Sequence, residues 1–145
     1  MLPKTHIFLG ALFSILVWII FPQIGIVYIL LIFLSSFLVD FDHYLCAVRK
    51  LKSLSLKKAL DYYRKDNLRE EREYKRGIYR KGDFHFLHTI EVHVLVLLLG
   101  LAWTPFLYVL AGMTFHSLVD LVELIKDDRM YRREFFFFNW LRKRL

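Results

Sequence analysis

Four apolar runs set the pattern of this chain: Thr5–Phe21, about Ile24–Phe41, Phe84–Trp103 and Pro105–Ile125. Stretches such as "IVYILLIFLSSFL" and "VLVLLLGLAW" are apolar all round, whereas a helix on the outside of a soluble bundle keeps a polar face. Each run is close to the ~20 residues an α-helix needs to cross the hydrocarbon layer, the first two near the short limit. "PQIG" joins the first pair and "TP" the second, and links this short force antiparallel helical hairpins. The pattern therefore predicts one all-α domain over residues 1–145, a four-transmembrane-helix bundle with spans at about 5–21, 24–41, 84–103 and 105–125. No small-x-small cleavage site follows the first run, and the next run begins almost at once, so the first is read as a retained span.

Charge sharpens the topology. Composition is 57% hydrophobic, yet the net charge is +7. The two properties are segregated along the chain: every Lys and Arg except Lys4 falls in Arg49–Lys81 or in the tail 126–145. With four spans, both basic segments and both termini share one side, and the hairpin tips on the other carry no charge. The positive-inside tendency makes that side the cytoplasm of an inner or plasma membrane. The 49–81 insertion has acid–base neighbours at helical spacing and is read as a solvated cytoplasmic helix that fixes topology. Gripping anionic lipid or nucleic acid is its other possible use, nucleic acid being the less favoured. The tail "FFFFNWLRKRL" suits a membrane interface.

With the basic segments set aside, the runs and their ends still hold Asp40, Asp42, Asp83, Glu91, Asp120 and Glu123, together with all six histidines. Ionisable groups in a membrane are costly and face one another or an internal cavity. Acids and imidazoles without a fixed cation among them are a donor set for a divalent metal, zinc above all, as one ion or two. Up-down connectivity carries His6, Asp40, Asp42, His43, His85, His88, Glu91, His93, His116 and Asp120 to the cytoplasmic half of the bundle. The single cysteine, Cys46, rules out a cysteine cage. His116 and Asp120 share a helix face at i, i+4, with Glu123 three further on; Asp40 and His43 share one at i, i+3. On a regular helix Asp42 points away from them, so either the helix unwinds there or Asp42 serves as a cap or a supporting partner. His85, His88 and Glu91 form a stripe, while His93 lies well round the helix from His88.

"KTHIFLGAL", "LVDFDHYL", "HTIEVH" and "FHSLVDLVE" resemble, in order, the motifs of YdjM-like membrane-bound metal-dependent hydrolases. The resemblance covers most of the chain outside the 49–81 insertion and the tail. It implies that His6, Asp40, Asp42, His43, His88, His93, His116 and Asp120 are the metal-site residues. Val39 stands where the family has proline, and "TIEV" stands between His88 and His93 where it has Arg-Gly-x-Thr, with the His-to-His spacing of five kept.

Two functional classes follow. The first is a membrane-embedded hydrolase whose metal activates water, with Glu91 or an uncoordinated Asp42 as general base. Its substrate is expected to be a phospholipid or lipid-phosphate ester at the membrane surface, the basic segments favouring an anionic one. The second is a non-catalytic membrane protein, either a bundle with a structural metal or a metal-ion carrier. Polar residues are scarce in the far half of the spans, which disfavours a carrier.

Overall fold

The computed structural model describes residues 3–145, and among them every regular element is helical. Helix α1 spans Pro3–Ile20, α2 Ile26–Leu38, α3 Phe41–Leu51, α4 Leu56–Tyr74, α5 Ile90–Ala102, α6 Pro105–Lys126 and α7 Phe137–Arg142. Single 3-10 turns stand at Phe86–His88 and Met130–Arg132. The all-α expectation holds. Two stretches are long and apolar enough to cross a membrane: Ile26–Leu51, where α2 runs almost straight into α3, and Pro105–Lys126. Helices α1 and α5 are apolar but shorter. The expected span 84–103 is helical throughout only from Ile90, so at ~1.5 Å per residue α5 is roughly 20 Å long, short of the ~30 Å hydrocarbon layer. The physical reason lies in residues 84–89, which leave the α-helical path to place His85 and His88.

The helices pack through small residues. Gly112 on α6 meets α2 so closely that a Cβ there would strike the Ile32 carbonyl and Ser35 Oγ and lie 3.0 Å from the Ser36 nitrogen. Gly10 on α1 faces Ser36 from the other side, and Gly100 on α5 faces Leu107 of α6. Ser35 and Ser36 spend their hydroxyls on carbonyls of their own helix, at 2.7 Å to Leu31 and 2.6 Å to Phe33. Small, internally satisfied side chains let the helix backbones approach closely. Val39, Val92 and Met113 form a small apolar cluster, while Phe8, Ile19, Ile20, Leu98 and Leu101 stay exposed on the outside.

The basic insertion is more than a solvated helix. Ser55 caps α4, accepting from the Lys58 amide at 3.4 Å. One turn apart on α4, Asp66 and Glu70 are buried, and the tail closes over them. Arg132 reaches Asp66 at 3.1 Å and also pairs with Glu70, which Arg129 approaches to 3.5 Å, while Arg80 adds 3.0 Å to Asp66. Backbone bonds seam the tail to the segment before α5: Gly82 N–H to Arg132 O and Ile90 N–H to Phe135 O, both 2.9 Å. Phe84 stacks on Trp140 at 4.1 Å.

Burial pushes the Asp66 carboxyl up, but Arg69, Arg80 and Arg132 outweigh it and hold it below its ordinary value of 3.8. Asp83 is likewise raised by burial and brought below that value mainly by Lys50. Groups with lowered native pKa values contribute stability above their unfolded pKa, and that contribution disappears as pH falls through the native value. Thermal stability in detergent is therefore expected to fall steeply below about pH 4. Asp66→Asn is expected to be less stable at neutral pH and to show a flatter acid limb in the same melts.

Candidate metal centre

The helix carrying "LVDFDHYL" tightens where its charges begin. Asp40, Asp42 and His43 each donate their amide three residues back, to Phe37 (3.1 Å), Val39 (3.4 Å) and Asp40 (3.0 Å). Bonds of this 3-10 kind overwind the chain and swing Asp42 away from its regular-helix direction. Asp42 Oδ2 then accepts from the Leu87 amide at 2.9 Å and faces His88 Nδ1 at 3.1 Å. The expected alternatives are that the helix unwinds here or that Asp42 serves as a cap or supporting partner; the helix overwinds instead, and Asp42 supports His88.

That support fixes the chemistry of His88. A carboxylate oxygen only accepts, so Nδ1 carries the proton and Nε2 keeps its lone pair. His116, 0% exposed on α6, is fixed the same way, its Nδ1 lying 2.8 Å from the Ser36 carbonyl of α2. The two Nε2 atoms face each other at 3.1 Å. Two bare lone pairs that close repel, so the pair is bridged either by a proton on one ring or by a metal ion. Two more acceptors converge on the same spot. Asp40 Oδ1 is 3.6 Å from His88 Nε2 and 3.5 Å from His116 Nε2, and Asp120 Oδ2 is 3.7 and 3.5 Å from the same atoms. Tetrahedral ligands at the usual ~2.0–2.1 Å zinc–nitrogen distance stand about 3.3 Å apart, close to the His88–His116 separation of 3.1 Å and the His–Asp separations of 3.5–3.7 Å. These buried His and Asp groups can hold a metal ion.

The remaining histidines divide. His6 stacks on His116 with centroids 4.3 Å apart and reaches Asp120 Oδ1 at 3.1 Å. His43 Nε2 lies 3.5 Å from Asp40 Oδ1, and its ring lies parallel to His85 at 3.5 Å. Tyr63 of α4 donates to the His43 carbonyl at 2.8 Å, so the insertion buttresses this corner. His93 is elsewhere. Its Nδ1 returns to the Thr89 carbonyl at 2.9 Å, and its Nε2 meets Ser117 Oγ at 3.1 Å. Because α5 starts only at Ile90, the two histidines brought together from this segment are His85 and His88, three apart. The resemblance had implied His88 and His93. Glu91, expected as a general base, instead accepts from the Phe138 amide at 3.2 Å, at the start of α7.

Sequence reasoning also missed Arg133. The tail reads as an anchor, yet its seam against residues 82–90 delivers this arginine into the cluster, where Nη1 donates to Asp120 Oδ2 at 2.8 Å. The charge run "YRREFFFF" carries no local signal for it, since only the tail's path over the bundle end decides which arginine points inward.

A carboxylate behind a metal-facing imidazole typically contributes ~10–100-fold to metal affinity. Asp42→Asn is therefore expected to weaken divalent-metal binding by about that factor. Competition against a coloured chelator measures it.

Fold and site together define an all-α protein with a buried His/Asp cluster able to hold a metal ion. No protein-family model, no curated protein and no solved structure matches this chain.

Proposed function

We propose that this chain is a membrane-embedded, metal-dependent hydrolase, with His88, His116, Asp40 and Asp120 holding a zinc-like divalent ion near the cytoplasmic face. The observation that carries the reading is the pair of Nε2 atoms 3.1 Å apart with both Nδ1 positions already committed to Asp42 and Ser36. The four apolar helices lie in or across the membrane, α1 and α5 as short members, with both termini cytoplasmic. The exposed apolar side chains and the placement of Lys and Arg support that arrangement. The motif resemblance to YdjM-like hydrolases agrees with it.

When bound, the ion supplies Lewis acidity and a water of lowered pKa. The chain's own residues do the rest. Asp42 and the Ser36 carbonyl orient the two imidazoles, His6 orients Asp120, and Arg133, donating to Asp120, adds a guanidinium with which an anionic oxygen of a substrate can pair. The rim is open on one side: the Asp40 side chain is 25% and the His43 side chain 33% exposed, whereas His88 and His116 are sealed. Four protein donors alone would close a tetrahedral shell, as in structural zinc sites; what favours catalysis is the exposed Asp40–His43 side, a route by which water can enter as a fifth ligand or in place of Asp40. The guanidinium and the basic surroundings point to a phospholipid or lipid-phosphate ester.

The test pairs elemental analysis with turnover. Purified protein is expected to retain zinc or a related ion and to release phosphate or a headgroup from anionic lipid in mixed micelles, with loss of both in His116→Ala. Protein without bound metal overturns the reading. Metal retained with no turnover on any phosphoester lipid leaves the structural role instead.

A further inference from the structure

We propose that Asp42, His43 and His85 form a second divalent-cation site beside the first. The proposal rests on the reading that the His88–His116 centre holds a metal, and it adds an ion to the same cluster. Asp42 divides its two oxygens. Oδ2 is used by the Leu87 amide and His88 Nδ1, while Oδ1 is buried with no hydrogen-bond partner. Its side chain is only 9% exposed, so water does not readily supply one. His85 Nδ1 is likewise buried without a partner. The two orphan atoms face each other at 3.6 Å, beyond hydrogen-bond reach. That separation suits two donors bound to one cation at ~2.0–2.2 Å each.

The third donor is at hand. His43 packs on His85, centroids 3.5 Å and planes 22° apart, and one nitrogen of each ring and one Asp42 oxygen all lie within 4.8 Å of one another. Asp40 Oδ1 stands 3.5 Å from His43 Nε2 and 3.6 Å from His88 Nε2, between the two sites. Carboxylates in such positions bridge paired metals. The imidazole and carboxylate donors select zinc or a neighbouring first-row ion rather than calcium. A pair of ions clamps both the attacking and the leaving oxygen in phosphoester cleavage, which is the reaction class proposed above. The outer site is the more open one through His43, so its ion is the weaker-held and the nearer to substrate.

Tag-free, full-length protein in detergent, stripped and titrated with zinc alone, is expected to bind two equivalents. His85→Ala is expected to bind one, and His43→Ala, a second variant in case the first misfolds, also one. Anomalous scattering from the wild-type protein is expected to place one ion at each position. One equivalent in the wild type, unchanged in His85→Ala, overturns the second site and leaves the first standing. No zinc bound at all overturns both readings.

Discussion

Replacing His116 with alanine is expected to abolish tight metal binding, a loss of at least about 100-fold in affinity, because the change removes a donor rather than a support. His116 is fully buried, ties α6 to α2 through the Ser36 carbonyl, and aims Nε2 at His88 Nε2. Its loss removes one donor, frees the Ser36 carbonyl in an apolar surrounding, and takes away the ring on which His6 stacks. The variant is thus expected to melt earlier as well, an unsatisfied buried carbonyl alone costing about 1–3 kcal/mol. The informative contrast is His93→Ala. His93 satisfies both its nitrogens at Thr89 and Ser117, so this variant is expected to keep wild-type metal content. Equal metal loss in the two variants, measured by elemental analysis on monodisperse protein, would contradict the geometry described here.

Gly112→Ala is expected to be the most damaging single-methyl change in the helix packing. Its Cβ would meet backbone, the Ile32 carbonyl and the Ser36 nitrogen, and backbone does not rotate aside. Overpacking of this kind costs roughly 1–3 kcal/mol and sometimes more, against which the better helix propensity of alanine returns up to about 1 kcal/mol. Gly10→Ala meets chiefly the Ser36 hydroxyl, which can turn to another rotamer, so its cost is expected to be smaller. The two changes also differ in their reach. Gly112 lies one helical turn before His116, and the contact it makes with α2 sets the distance between His116 Nδ1 and the Ser36 carbonyl. Gly112→Ala should therefore lower metal affinity along with thermal stability. Melts and chelator competition on both variants separate the two effects.

Much of the site was legible because its residues announce themselves by being expensive. Asp40, His88, His116 and Asp120 sit in apolar runs, where a charge or imidazole persists only with a partner, and alternating helix direction was enough to bring them together. His116 and Asp120 were paired by simple i, i+4 spacing. Asp42 was ambiguous on a regular helix, and only the three-residue backbone bonds at Val39–His43 resolved it. His93 came from the motif resemblance, whereas helix spacing had already set it well round from His88, and in the structure it turns to Thr89 and Ser117. Glu91 was placed on a stripe with His85 and His88 that assumed helix before Ile90, whereas Phe86–His88 is a 3-10 turn and Thr89 is extended, and Glu91 meets the Phe138 amide.

What the sequence by itself determined is the class of fold and the pool of His and Asp side chains from which a centre can be drawn: helices follow from unbroken apolar runs with short links, and the pool stands out because every Lys and Arg is placed elsewhere along the chain. Tertiary structure decided the rest. Whether an arginine is near the centre depends on the path of the tail, and the seam at Gly82 and Ile90 brings Arg133 to Asp120 across the bundle end. Which histidine nitrogen faces inward depends on hydrogen bonds from residues distant in sequence, Asp42 for His88 and Ser36 for His116. Apolar periodicity records the neighbours along one helix. It holds no information about a carbonyl on another helix that takes a proton and so aims a ring.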